Sequence, residues 1–186
     1  METTIRHTPS RKMLRERLSG HLSKTDILEL GTRDQKPSVR EQLFLLLFDT
    51  DERVASNAAW VCTHWDKKHA ARLTQIQDEL IEKALHSTQP TQRRLLLTLL
   101  YRQQRHLPLH TELLNHCMQR MVSCREPDSI RALCIKLAYA QCRQDADLMK
   151  EFRLTMEVME HDLLPPSLRS VRKHALQALD KNKPFI

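Results

Sequence analysis

Helix-breaking residues recur at an almost constant interval along this chain of 186 residues. Pro90, Pro127 and Pro165 are separated by 37 and 38 residues, and Asp51 lies 39 residues before Pro90. Each of them follows a stretch with helical apolar spacing and begins another, and proline is tolerated in the first turn of a helix. The spacing predicts a repeated unit of two helices about every 38 residues.

The apolar stripes between these breakers place the individual helices. Leu73, Ile76, Leu80 and Ala84 follow intervals of three and four residues, so they lie on one side of a helix that must be buried. Two short helices, at 10–19 and 23–30, are predicted to cover the open N-terminal end of the stack. The four predicted pairs of first and second helices are 38–48 with 52–65, 70–86 with 90–105, 109–124 with 128–143, and 147–162 with 166–181.

Composition supports an all-α fold and excludes other classes. The chain has only 2 Gly, and alternating apolar runs typical of strands are missing. We expect one α-solenoid domain over 1–186, with an N-terminal cap at 1–37, about four repeats at 38–181 and a tail at 182–186. The longest apolar run, Leu43–Phe48, cannot span a membrane, and the N-terminus shows no signal peptide. Five Cys without a secretory signal indicate free thiols and a cytoplasmic location.

One stretch resembles a known repeat family. Residues 43–60 combine an apolar helix, the turn Asp49-Thr50-Asp51, the pair Arg53-Val54 and small residues on the next helix, and this order is similar to a HEAT repeat. An Arg soon after the turn recurs at Arg94, Arg131 and Arg169. The resemblance implies a HEAT/armadillo-like, right-handed α-solenoid. It also implies that the turn Asp caps the second helix and that the helix Arg pairs with the Asp of a neighbour.

Positive charge is concentrated on the predicted second helices. The segments 87–108, 127–144 and 166–186 carry +4, +2 and +4, whereas 145–165 carries −4, within a net charge of +7. Second helices line the concave face of HEAT-type solenoids, so the resemblance implies a basic concave groove that attracts anionic partners. The alternative is that these cations only solvate amphipathic helices. The candidate binding residues are Arg93, Arg94, Arg102, Arg131, Arg169, Arg172 and Lys173.

Catalytic and metal-binding motifs are missing from the sequence. No HExxH, Walker A, GxSxG or GxGxxG pattern occurs, no CxxC occurs, and no cofactor or metal is expected. Among enzymes, the architecture and charge are most similar to HEAT-like alkylpurine DNA glycosylases, for which Trp60, Trp65 and Asp66 are the nearest candidate residues. No motif of that family matches residue by residue.

Two functional hypotheses follow from the repeat and its charge. The first is a non-catalytic helical-repeat scaffold that binds an acidic protein or peptide partner through the basic groove. The second is a HEAT-like protein that binds nucleic acid on the same cations. No membrane partner is expected, and the sequence leaves the oligomeric state open.

Overall fold

A computed structural model describes residues 11–32, 36–104 and 107–184, apart from the side chain of Lys67. This part of the chain is helical and contains no strand. None of its helices is long and apolar enough to cross a membrane. The α-helices are α1 Arg11–Ser19, α2 Lys24–Gly31, α3 Pro37–Leu46, α4 Glu52–Thr63, α5 Lys67–Ala70, α6 Gln77–His86, α7 Pro90–Arg102, α8 Thr111–Val122, α9 Asp128–Cys142, α10 Ala146–Val158 and α11 Pro166–Asp180.

The helices form two compact units, 1–71 and 72–186. In unit 1, α1, α2 and α3 all pack against α4. Val54, Ala58 and Val61 of α4 are fully buried, which makes this helix the centre of the unit 1 core. The two short N-terminal helices therefore lie against α4, the second helix of the first predicted repeat, and their role as a cap on a stack of repeats stays a prediction. The prediction of a single domain over 1–186 stays a prediction.

Unit 2 contains three helix pairs, α6/α7, α8/α9 and α10/α11. The second helices lie side by side, with α9 packed against both α7 and α11. Their first residues, Pro90, Asp128 and Pro166, are spaced by 38 residues in both steps. Buried residues occur along the whole length of α9 because this helix has neighbours on several sides. Cys134, Ile135 and Leu137, for example, are fully buried.

The turn residues begin the helices as the sequence predicts. Asp51 caps α4, since its carboxylate accepts the backbone N–H groups of Arg53 at 2.9 Å and Val54 at 3.3 Å. Asp145 caps α10 in the same way. The other turn carboxylate, Asp49, forms an ion pair with Arg15 of α1 at 2.8 Å. In unit 1 one aspartate of this turn therefore caps α4, and the other joins the turn between α3 and α4 to α1.

The predicted helix map is correct in order and wrong in two details. The stretch 70–86 is interrupted: α5 ends at Ala70, a 3-10 segment covers Ala71–Ile76, and α6 follows. Leu73 and Ile76 are three residues apart, and this spacing fits a 3-10 turn as well as an α-turn. The helix predicted at 147–162 ends at Val158, before a 3-10 turn at His161–Leu163. The predicted ends at 10 and 105 lie outside the described residues.

Candidate functional site

Arginines of the second helices close the C-terminal ends of the first helices in unit 2. Arg131 donates from Nε to the carbonyl of Met121 at 3.2 Å, and Arg172 donates from Nε to the carbonyl of Met156 at 2.7 Å. Arg93 donates to the carbonyl of Ser87, just after α6, at 2.6 Å. The last carbonyls of a helix have no partner within it and carry the negative end of its dipole. A guanidinium group at the end of the helix donates hydrogen bonds to these carbonyls and places a positive charge next to the negative end of the dipole.

Arg93 also joins one helix pair to the next. Its Nη1 lies 3.0 Å from the carboxylate of Glu126, in the turn between α8 and α9. Arg120 of α8 pairs with the same carboxylate. Arg93 is buried and Glu126 is half-buried, and a charge-assisted contact is strong where water is largely excluded. This contact between repeats is the kind that the HEAT resemblance implies, although a glutamate supplies the carboxylate.

Two of the predicted binding residues are buried, so they are not available to a partner on an exposed surface. Arg93 and Arg131 are only 7% and 6% exposed, and their donors face helix ends and carboxylates. Arg169, 38 residues after Arg131, is half-buried, and its Nε has no acceptor among the described residues. Arg172 donates from Nε to the carbonyl of Met156 and from Nη2 to the carbonyl of Glu157, both in α10. The arginine that recurs every 38 residues is therefore Arg93, Arg131 and Arg169, with Arg93 in place of the predicted Arg94, and Arg93 and Arg131 are packing residues.

Cations that keep contact with solvent lie on one side of α7 and α9: Arg94 and Lys136 are half-buried, and Arg143 is exposed. Lys136 of α9 places Nζ 5.4 Å from the ring centroid of Tyr101 of α7, which is a cation–π contact between the two helices. Arg94 lies two turns before Tyr101, and Arg143 lies two turns after Lys136, so each shares its neighbour's side of the helix. We call Arg94, Tyr101, Lys136 and Arg143 the basic face.

Few acidic residues lie on the helices that carry Arg94 and Arg143 of the basic face. Helix α7 carries no acidic residue, and the only one in α9 is Asp128, which lies 3.7 Å from Arg131. The side chains of Arg94 and Arg143 have no hydrogen-bond or ion-pair partner in the described part of the chain. Arg102, near the end of α7, and Lys173 of α11 are exposed. Of the predicted binding residues, Arg94 belongs to the basic face. Lys136 and Arg143 were not predicted, although their spacing of seven residues indicates that they lie on the same side of a helix.

Two glutamines fix the N-terminal ends of the first helices against the second helices. Gln141 of α9 accepts the backbone N–H of His110 at 2.7 Å and donates to the carbonyl of Pro108 at 3.0 Å. Gln103, 38 residues earlier, accepts the side-chain amide of Gln77, the first residue of α6, at 3.1 Å. Gln103 and Gln141 are buried, so the amide contacts are shielded from water. These contacts hold the loops that precede α6 and α8.

Unit 1 contains a small cleft of about 340 Å³ between the α1–α2 turn and α4. Arg53, Asn57 and Trp60 line it from α4, four and three residues apart, and the turn contributes the other wall at residues 20–22. The Asn57 amide holds that wall by donating to the carbonyls of Leu18 at 2.7 Å and Gly20 at 3.3 Å. The described lining contains no acidic side chain.

The residues proposed by analogy with glycosylases have separate environments. Trp60 is half-exposed in the cleft, whereas Trp65 is 4% exposed and does not line it. The Asp66 carboxylate contacts His69, at 2.8 Å from the ring nitrogen and 2.9 Å from the backbone N–H. No group of three or more His, Cys, Asp or Glu among the described residues is placed to hold a metal ion.

Titratable groups in the unit 2 core are held neutral. Burial, together with the guanidinium groups of Arg120 and Arg93, lowers the pKa of His116 to about 4. A hydrogen bond with the Cys134 thiol, added to burial, raises the pKa of Cys117 well above its ordinary value. Burial raises the pKa of Cys142 to about 12. A thiol reacts as the thiolate, so Cys117 and Cys142 are inert packing residues.

Paired helices, a 38-residue register and repeated contacts between repeats define a helical-repeat protein. The family model described as a HEAT repeat domain matches residues 14–179, and the chain therefore belongs to the HEAT repeat family. This confirms the resemblance found at 43–60. No curated protein and no solved structure gives a significant match. HEAT repeat domains are generally non-catalytic and typically mediate protein interactions.

Proposed function

We propose that this HEAT repeat protein is a scaffold that binds an acidic segment of a partner protein on the basic face. The observation that carries the proposal is the contact between Lys136 and Tyr101, two half-buried residues, which places the Arg94 side of α7 next to the Arg143 side of α9. The carboxylates of an acidic peptide would meet Arg94 and Arg143, whose guanidinium groups suit bidentate contacts. A concave shape for this surface stays part of the proposal.

An acidic peptide fits the basic face better than nucleic acid does. Proteins that bind single strands stack bases on exposed aromatic rings between cations. Tyr101 is the aromatic residue of the basic face, and one side of its ring is covered by the Lys136 ammonium group. The basic face has three described cations, Arg94 on α7 and Lys136 and Arg143 two helical turns apart, and this wide spacing suits carboxylates spaced along a peptide. Nucleic-acid binding is the competing outcome of the test below.

The test compares two pairs of charge-neutralising substitutions. A fluorescein-labelled 16-residue peptide rich in Asp and Glu is titrated with the full chain, and anisotropy is recorded at several NaCl concentrations. Arg94→Gln with Arg143→Gln should weaken binding at least fivefold. The control pair, Arg125→Gln with Lys150→Gln, removes the same charge from exposed positions outside the basic face and should change affinity less than twofold.

The same titrations separate the competing functions. Equal losses from both pairs would show that net charge alone attracts the peptide, and the proposal would fail. Tighter binding to duplex DNA, single-stranded DNA or RNA, lost steeply with salt and with the Arg94/Arg143 pair, would favour the nucleic-acid alternative. Base release from alkylated duplex DNA would favour the glycosylase alternative.

We also propose a cytoplasmic location, because a reducing compartment suits the five free cysteines.

A further inference from the structure

The outer side of α10 exposes large apolar side chains to water. Leu154 and Val158, one helical turn apart, are 62% and 75% exposed, and Leu163 in the following 3-10 turn is 78% exposed. Phe152 and Met156 of the same helix are fully buried, so the core-facing side of α10 is already occupied. Leaving such side chains in water forgoes roughly 25 cal/mol per Å² of apolar area that burial would gain. Exposed apolar surface of this kind marks an interaction site.

Carboxylates flank this apolar stripe. Glu151 lies one turn before Leu154, Glu160 follows Val158, and both are exposed without an ion-pair partner in the described part of the chain. Asp162 contacts the adjacent His161 ring at 3.0 Å, and this hydrogen bond lowers the pKa of the Asp162 carboxyl, so it stays ionised. The segment 145–165 has a net charge of −4 in a chain of +7. We call Glu151, Leu154, Val158, Glu160 and Leu163 the α10 face.

We propose that the α10 face binds a basic amphipathic helix of a second partner protein. Such a helix would cover Leu154 and Val158 with its apolar side, and its flanking Lys or Arg side chains would reach Glu151 and Glu160. This surface differs from the basic face in helix, in polarity and in the sign of its charge. The inference goes beyond the proposed function, because it assigns a second, oppositely charged partner to another helix of unit 2.

Two other occupants fit the α10 face less well. An anionic lipid surface attracts basic segments, whereas Glu151, Glu160 and Asp162 would be repelled from it. A second copy of the chain offers unpaired Arg94 and Arg143 on its basic face, but there they flank Tyr101, whose ring is covered on one side by Lys136, and not an apolar helix side. In α1, Arg15 and Arg17 already pair with Asp49, Asp26 and Glu29 of their own chain. The apolar stripe with its acidic rim therefore favours an amphipathic helix of a different protein, in which cations flank apolar side chains.

The test uses two designed 18-residue helical peptides that share one leucine stripe. In the first peptide the polar positions beside the stripe are Lys, and in the second they are Glu. Titration of the full chain at 50 and 300 mM NaCl should show binding of the Lys peptide and at least tenfold weaker binding of the Glu peptide. Leu154→Gln with Val158→Gln should reduce affinity for the Lys peptide at least tenfold. Glu151→Lys with Glu160→Lys should reverse the preference between the two peptides.

A matched control excludes a general hydrophobic effect. Leu109→Gln with Val122→Gln removes two other exposed apolar side chains of unit 2, each 43% exposed, and should leave affinity within twofold. All these positions are exposed, so circular dichroism melting should show every variant folded. Equal binding of both peptides, or no loss in the Leu154/Val158 variant, would overturn the proposal. So would sedimentation showing a dimer that this variant alone abolishes, since the occupant would then be a second copy.

Discussion

Arginines on the second helices of unit 2 have two different roles at the residue scale. Arg131 is buried and donates to a carbonyl at the end of α8, whereas Arg143, the residue that directly follows α9, is exposed and its side chain makes no such bond. A buried carbonyl that loses its donor costs more than an exposed cation that loses its charge. The chemical type of the side chain is the same in both positions, and only packing separates the roles.

Replacing Arg131 by Met should therefore destabilise the protein. The substitution preserves most of the buried aliphatic stem but leaves the Met121 carbonyl without its donor, and we expect a loss of about 1–3 kcal/mol in the free energy of unfolding. Urea denaturation followed by circular dichroism measures it. Arg143→Met is the control and should change stability by no more than about 0.5 kcal/mol. Equal effects of the two substitutions would contradict the assigned role.

His116 gives the stability of the protein a defined pH dependence. Its pKa is about 4 in the folded protein, below the ordinary value of 6.5, so the unfolded chain binds the proton more readily. Stability should rise with pH between about 4 and 6.5 and should fall as the pH is lowered through this range. His116→Gln should flatten the dependence in urea titrations at pH 5 and pH 7. His174→Gln, at an exposed position, should keep it; a flat wild-type profile would refute the prediction.

Helix boundaries at the element scale were predictable where a breaker or a cap is visible in the sequence. Asp51 and Pro166 begin α4 and α11 because a side-chain cap and a fixed φ angle act locally. The 3-10 segment Ala71–Ile76 was not predictable, since its apolar spacing is compatible with both helix types. Loop contacts such as those of Gln141 were also missed, because they depend on residues more than 30 positions away.

Gln141 should control the order of the loop before α8. Gln141→Leu removes the acceptor of the His110 N–H and the donor to the Pro108 carbonyl, and both groups lose buried partners. Hydrogen exchange of the His110 amide should become faster, and stability should fall by about 1–3 kcal/mol. Gln119→Leu, at an exposed position on α8, should leave that amide unchanged. Unaltered exchange at His110 in the Gln141 variant would show that the loop is held by other contacts.

Charge at the scale of the whole molecule was only partly predictable from segment totals. The excess of positive charge on the second helices is visible in the sequence. Arg93 and Arg131 contribute to this excess, but their guanidinium groups donate to carbonyls at helix ends and are not available to a partner. The sum over a segment cannot distinguish such buried cations from Arg94 or Arg143. It does identify the contrast with the acidic segment 145–165, which contains the α10 face. A second-helix register of 38 residues places equivalent residues in neighbouring repeats, and only the three-dimensional contacts show which of them remain available.

The two proposed faces should act independently, because they share no residue and lie on different helices of unit 2. Arg94→Gln with Arg143→Gln should weaken the acidic peptide while affinity for the Lys peptide stays within twofold. Leu154→Gln with Val158→Gln should do the reverse. Effects of separate sites add, so a variant with all four substitutions should lose both affinities by the factors measured singly. The three variants and the wild-type chain are titrated with each peptide separately, since the peptides would bind one another. Loss of both affinities from either pair alone would show a single shared surface.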